Sequence, residues 1–332
     1  MNVSLIITTI NRPNNNIRSF SKGCKINNWD FIVIGDKKTP NNFNFSYGNY
    51  LNISNQKKLK FKFANICPYN NYARKNIGYL IAFSKKNNFI VETDDDNSPK
   101  KNFFKSIDLI HRAKVIKNDS WINIYKIFLK KKLQIWPRGL PLDEINKKII
   151  IKKKLVKKKF FLQQGVAEGN PDVDAIFRLL NDNIDIKFKN DKISLSNAIS
   201  PFNSQNTIWH KSIFKLMYLP VTCSMRCTDI WRSLVTLKIM QVNNFDILFF
   251  GTNIFQKRNL HNLMDDFSQE VPLYLDSKKI YKILNKLKLK KGIKNFSWNL
   301  IYCYKTLIKN NFFDKNELVY LKAWLNDCKI LN

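Results

Sequence analysis

Phe89-Ile90-Val91-Glu92-Thr93-Asp94-Asp95-Asp96-Asn97 runs from an apolar, β-branched stretch straight into three consecutive carboxylates. The first five residues have the length and composition of a buried strand. Adjacent carboxylates repel one another, and a divalent cation offsets that repulsion directly. A hard ion such as Mg²⁺ or Mn²⁺ takes oxygen ligands of this kind. An isolated acidic triplet would equally suit a solvated loop, so the surroundings of the strand decide the reading.

Upstream, Val3 to Ile10 is another short apolar run, closed by Asn11-Arg12-Pro13, and Phe31-Ile32-Val33-Ile34 is a third, stopped at Gly35-Asp36. Tyr69 to Asn87 reads as a helix, with Ala73, Ile77, Leu80 and Ile81 on one face. Asn14 to Cys24 suits a helix or a loop. Strand, connection, strand, helix, strand predicts an α/β fold with a mostly parallel sheet flanked by helices. Ligands of such sheets sit beyond the carboxyl ends of the strands. Residues Thr8 to Arg12, Asp36 and the Asp triplet would converge there.

Residues 100–200 are less regular, with Trp136 to Pro141 and Gln163 to Asp174 as loop-like islands. Pro171-Asp172-Val173-Asp174 should open a helix running to Leu180. Asp229 to Gln241 reads as a further helix and Phe245 to Phe250 as a strand. From Ser277 onward the chain is Lys-rich and periodic, with a break at Gly292. We therefore expect a catalytic domain over residues 1–275 and a small helical C-terminal appendage over 276–332.

With 332 residues, 44% of them hydrophobic, the chain can bury a substantial core. No stretch approaches the ~18 consecutive apolar residues of a spanning helix, which leads to the expectation of a cytoplasmic protein. Six scattered cysteines form no disulfide or zinc framework. The net charge of +32, from 57 basic and 25 acidic residues, would attract nucleic acid or an anionic surface. Because the excess is mostly Lys and accompanies abundant Asn and Ile, runs such as Lys152-Lys153-Lys154 and Lys157-Lys158-Lys159 read as solvated faces. No specific nucleic-acid partner is expected, and peripheral contact with anionic surfaces is.

Thr93 to Asn97 after a strand resembles the Asp-x-Asp element of GT-A glycosyltransferases, and Tyr72 to Gly78 is similar to the helix that precedes it there. Gly35 to Pro40, Pro68 to Asn76, Pro201 to Thr207, Thr228 to Arg232 and Arg258 to Asn262 together resemble the STELLO-type glycosyltransferase family, over roughly residues 3 to 275. Trp136 to Pro141 and Asp229 to Trp231 are more distantly similar to the reversibly glycosylated polypeptides, which include UDP-arabinopyranose mutases.

The resemblance implies a GT-A-like (Rossmann-like) enzyme that holds a nucleotide-diphosphate sugar, a UDP-sugar first among them. Mn²⁺ or Mg²⁺ at the triplet would hold the donor, and the glycosyl group would pass to an unknown glycan, lipid or protein acceptor. Asp94, Asp96 and His261 are the candidate metal ligands. Asp36, Arg74, Asn76, Asp95, Asn203 and Gln205 are candidates for holding the nucleotide-sugar. Asp36 could equally end a simple turn, and Arg74 could pair with phosphate or be a helix-surface charge. Asp229 suits either a helix N-cap or a catalytic base. Arg138 is the position that would carry self-glycosylation. A nucleotide-sugar mutase and a non-catalytic basic nucleic-acid-binding protein are the rival functions.

Overall fold

In a computed structural model, residues 2–117, 120–131, 133–149, 152–181 and 184–331 are described, residues 117 and 152–154 by their backbone only. The first half holds β1 (Val3–Thr9), α1 (Asn15–Ile26), β2 (Asp30–Gly35), β3 (Asn49–Leu51), α2 (Ile53–Lys57), α3 (Lys62–Ile66), α4 (Lys75–Ser84), β4 (Phe89–Thr93) and β5 (Asn97–Pro99). Next come β6 (Ile110–Lys117), α5 (Ile124–Phe128), β7 (Lys152–Lys159), β8 (Leu162–Gly169), α6 (Ala175–Leu180), β9 (Lys192–Ser196) and β10 (Asn206–His210). The chain ends with α7 (Thr228–Val242), β11 (Ile247–Gln256), α8 (Leu263–Asn285), α9 (Phe296–Lys309) and α10 (Glu317–Ile330).

Among the described residues the strands form one sheet in the order β3-β2-β1-β4-β10-β8-β11-β9-β6-β7, with β5 paired to β11. The four strands β3, β2, β1 and β4 are all parallel, and β10 then enters antiparallel to β4. The expectation of an α/β fold, with a sheet flanked by helices, is borne out. Residues alternate between faces along a strand, and here both faces are buried. Ile6, Ile32, Ile34 and Ile90 join one core cluster under α4, while Leu5, Ile7, Val33 and Val91 join the other with Ile17 and Phe20 of α1. A sheet covered on both sides explains why these strands read as continuous apolar runs.

Glu92 interrupts that pattern. It is fully buried, and its carboxylate accepts from Arg232 Nη1 at 3.0 Å and Nη2 at 2.8 Å and from Trp209 Nε1 at 2.8 Å. The pair clamps β4 to α7 just before the triplet. A buried ion pair costs little when every oxygen is hydrogen-bonded and costs much when one partner is removed.

Two sequence expectations change. Gln163 to Gly169, expected as a loop, belongs to β8, which lies between β10 and β11. Its polar side chains are absorbed by neighbours: Gln164 Nε2 donates to Asn203 Oδ1 at 3.1 Å, and Thr207 Oγ1 donates to Gln164 Oε1 at 2.7 Å. The division at 275/276 falls inside α8, and Leu300, Tyr304, Leu321 and Trp324 of the last two helices share the main core. Asp327 of α10 accepts from the backbone N–H groups of Lys62 (3.0 Å) and Phe63 (2.8 Å), capping α3. Lys157 and Lys159 are solvated on β7, which ends the sheet, where charge discourages edge-to-edge pairing. The side chains of Lys152-Lys153-Lys154 lie outside the described residues.

Candidate active site

The triplet follows β4 at the carboxyl end of the parallel strands, and each of its carboxylates has a different environment. Asp94 Oδ1 accepts from Lys75 Nζ and from Tyr72 Oη, both at 2.9 Å. Lys75 is fully buried, and its ammonium also donates to Thr93 O at 2.8 Å and Ser204 O at 3.0 Å. Burial pushes the Asp94 carboxyl above its ordinary range, and Lys75 opposes that rise.

Asp95 is tied down on three sides. Thr9 Oγ1 donates to its Oδ2 at 2.5 Å, Asn11 Nδ2 to the same oxygen at 3.0 Å, and Asn259 Nδ2 to Oδ1 at 3.2 Å. Asn14 and Asn16 hold its backbone carbonyl at 2.7 and 3.1 Å. Asp96 differs from both. Gln256 Nε2 donates to its Oδ2 at 2.8 Å, while Oδ1 is buried without a hydrogen-bond partner. Burial first, and then repulsion from Asp94, push this carboxyl up to about 7. A buried acceptor left unmade is costly, and a cation is the natural partner for it.

Behind the triplet lies a second carboxylate centre built on Arg138. Its guanidinium donates to Asp229 through Nη1 and Nη2, each at 3.1 Å, and to Asp172 through Nε at 2.9 Å and Nη2 at 2.8 Å. The remaining Nη1 hydrogen reaches Arg226 O. All five N–H groups are therefore used. Burial opposes its charge, yet Asp172 and Asp229 hold Arg138 well above its ordinary value. Burial likewise opposes ionisation of Asp172, but Arg138 keeps its carboxyl well below the carboxylate range. Gly139 makes this close approach feasible. Its φ is +83°, and a Cβ there would lie 2.3 Å from Ile230 Cγ2.

The two centres are joined. Asp229 Oδ2 accepts from Ser204 N at 3.2 Å and Ser204 Oγ at 3.3 Å, Ser204 Oγ meets Tyr72 Oη, and Tyr72 meets Asp94.

Similar sequences are described as glycosyltransferases. The description "STELLO glycosyltransferases" matches residues 226–332. Two curated relatives, both from Arabidopsis thaliana, align over 97% of this chain. "Probable glycosyltransferase STELLO1" is 25% identical over 348 aligned positions, and "Probable glycosyltransferase STELLO2" is 24% identical over 346. By these matches the chain is similar to STELLO-type glycosyltransferases. The chain spans 44% of the length of either relative. A solved structure described as "Crystal Structure of a Mycobacterial Protein" is 9% identical, with a TM-score of 0.37 over 84% of this chain and 74% of that one. Nothing is argued from so low a score.

The stretch matched by the family description begins just before α7, so it includes Asp229, Arg258 and His261 but not the triplet. Asp94, Asp229, Arg138 and Asn203 are brought into one connected network, in which Asn203 Nδ2 donates to Asp172 Oδ2 at 2.9 Å, while Asp95 and Asp96 adjoin it along the chain with partners of their own. Gln205 Nε2 adjoins it, donating to Asn97 Oδ1 at 3.1 Å.

Four expected residues stand apart. Arg74 is turned away from the triplet and buried, donating to Gln56 Oε1 at 3.1 Å through Nε and to Cys67 O at 3.0 Å through Nη1. Asn76 is closed on Leu219, donating to its O at 2.8 Å and accepting from its N at 2.9 Å. Asp36 shapes the loop before α4, accepting from Asn70 N at 2.9 Å and Asn71 N at 3.1 Å. His261 Nδ1 lies 3.3 Å from Asp266 Oδ1 rather than against the triplet. Among the described residues no three His, Cys, Asp or Glu side chains are gathered as a ready-made metal cage. Mg²⁺ does not require one, since it is commonly bound by one or two carboxylates plus phosphates and water. Asp94 and Asp96, with the orphaned Oδ1, fit that requirement.

Sequence reasoning passed over Lys75, Tyr72, Ser204 and Asp172. Lys75 and Tyr72 stood within the quoted helix motif. Asp172 was assigned only to a helix start, and the N-cap of α6 is in fact Asp174, which accepts from Phe177 N at 2.8 Å.

Proposed function

We propose that this chain is the donor-binding and catalytic unit of a glycosyltransferase. It would hold a nucleotide-diphosphate sugar through a divalent cation at Asp94 and Asp96. The observation that carries the reading is the buried, unpartnered Oδ1 of Asp96, the last carboxylate of a triplet that follows a strand at the carboxyl end of the parallel part of the sheet. When bound, a divalent ion supplies charge neutralisation of the diphosphate leaving group.

The chain's own residues supply the rest. Lys75 fixes Asp94, and Thr9, Asn11 and Asn259 fix Asp95, so the acidic edge is preorganised. Asp229 is the base candidate for an acceptor hydroxyl. Among the described residues its Oδ1 accepts a hydrogen bond from Arg138 alone, which leaves a lone pair for an acceptor proton. Asn203 and Gln205, which line the cavity at Arg138 and Asp172, carry the amide groups nearest to a bound sugar in this reading. The mutase alternative gains no support from Arg138, because a glycosyl acceptor nitrogen there would have to leave a carboxylate first.

Calorimetric titration of UDP-sugars with and without Mn²⁺ tests the reading. Binding should require the metal and vanish in the Asp94→Asn/Asp96→Asn variant. Metal-independent binding, or binding unchanged in that variant, overturns the assigned site.

A further inference from the structure

Away from the site, α5 separates two hollows. Ile124 and Tyr125 line the cavity at Arg138, whereas Asn123, Lys126 and Leu129 line an open hollow of about 690 Å³ on the other side. We propose that this second hollow is a docking surface for the phosphate headgroups of an anionic phospholipid membrane. The proposal is independent of the glycosyltransferase reading.

Its rim carries Lys126, Lys130, Lys131 and Lys189, all exposed. None of these four ammonium groups meets a carboxylate among the described residues, although eight lysines elsewhere do. No Asp or Glu of the described residues lines the hollow. The floor is apolar: Leu129, Ile135 and Ile145 are buried, and Leu133 stands 44% exposed beside the lysines. The shape is held by backbone and amide contacts. Asn123 Nδ2 donates to Ile135 O at 2.8 Å, and Lys189 N donates to Phe128 O at 2.6 Å, so opposite walls are tied together.

Cations around a small apolar floor match the chemistry of a membrane interface. Lysine ammoniums meet lipid phosphates there, and a projecting leucine enters the headgroup layer. A nucleic acid is the weaker match. Single strands are held on stacking aromatic rings, and no aromatic side chain of the described residues lines the hollow. Arginine, the bidentate phosphate ligand, is also missing from this lining. The contact proposed is with the headgroup layer; no helix among the described residues is long and apolar enough to cross a membrane.

The test is cosedimentation with phosphatidylcholine vesicles, with or without about 30% phosphatidylserine, a proportion giving a strongly negative surface. The chain should bind the anionic vesicles and leave the neutral ones in solution. Replacing all four lysines (Lys126→Gln, Lys130→Gln, Lys131→Gln, Lys189→Gln) should lower the partition about fivefold for each lysine, several hundredfold in all. The comparison variant carries the same charge change at exposed lysines of the C-terminal region (Lys286→Gln, Lys288→Gln, Lys291→Gln, Lys294→Gln) and should lose less than a tenth of that. Equal losses in both variants would mean diffuse attraction by the overall charge and would overturn the proposal. So would a hollow that binds single-stranded RNA but no vesicle.

Discussion

Lys75→Met is the sharpest test of the site's construction, because it removes one charge and little volume from a fully buried position. The change leaves Asp94 with Tyr72 alone and strips the Thr93 and Ser204 carbonyls of a donor. Breaking a buried pair from one side costs about 3–5 kcal/mol. Asp94 keeps 29% of its side chain exposed, so water shares its charge and the lower figure applies. At about 2.1 cal/mol/K per residue, 332 residues give an unfolding entropy of about 0.7 kcal/mol/K, so about 3 kcal/mol lowers Tm by about 4 °C.

The control is a double-mutant cycle with Asp94→Asn, read by differential scanning calorimetry. Once Asp94 is neutral, losing Lys75 should cost at least about 1 kcal/mol less than before. Mn²⁺ should also stabilise Lys75→Met more than the parent, since a divalent ion can replace the missing counter-charge. A Tm fall of under about 1 °C, or strictly additive single changes, would refute the argument that this ion pair fixes the acidic edge.

Arg138→Met should cost about 3–5 kcal/mol in urea denaturation, since it leaves Asp172 and Asp229 buried without their shared cation. Arg138→Lys should recover little of it, because three ammonium donors cannot replace a five-donor fork. In metal-free protein the Asp96 carboxyl, raised from 3.8 to about 7, favours the folded state while protonated; that stability is complete below pH 3.8 and lost as pH rises through 7. Mn²⁺ needs the ionised form, so its affinity by calorimetry should fall about tenfold per pH unit below 7 and level off above it; a flat profile would contradict the environment described.

The N-terminal frame was legible because β1, β2 and β4 are buried on both faces, which leaves an unbroken apolar signature, and because α4 keeps a 3.6-residue period. The triplet was legible for the same reason, standing at the end of such a strand. β8 was not, since Gln163, Gln164 and Gly165 carry no apolar signal and become strand only through pairing with β10 and β11. Lys75 was hidden by composition, one lysine in a lysine-rich chain. Its neighbour Arg74 looked better suited to an anion, yet the tight turn Tyr72–Arg74 ends at the junction with α4 and sends the two side chains opposite ways. Direction at a turn is a tertiary property that spacing alone does not carry.

The contact between Ser204 and Tyr72 limits how independently the two carboxylate centres can act. Each hydroxyl owns one hydrogen, and three contacts compete for the two: Ser204 to Asp229, Ser204 with Tyr72, and Tyr72 to Asp94. When Tyr72 donates to Asp94, Ser204 is free to donate to Tyr72, and Asp229 keeps the Ser204 backbone N–H. When Ser204 donates to Asp229, Tyr72 can turn its hydrogen to Ser204, and Asp94 keeps Lys75. Both arrangements leave every carboxylate with a donor, so the chain can reverse without a broken ion pair. A change of charge at Asp94 is therefore expected to be felt at Asp229 through the turning of two hydroxyl groups. The fixed donors Lys75 and Arg138 at either end are what make that reversal cheap.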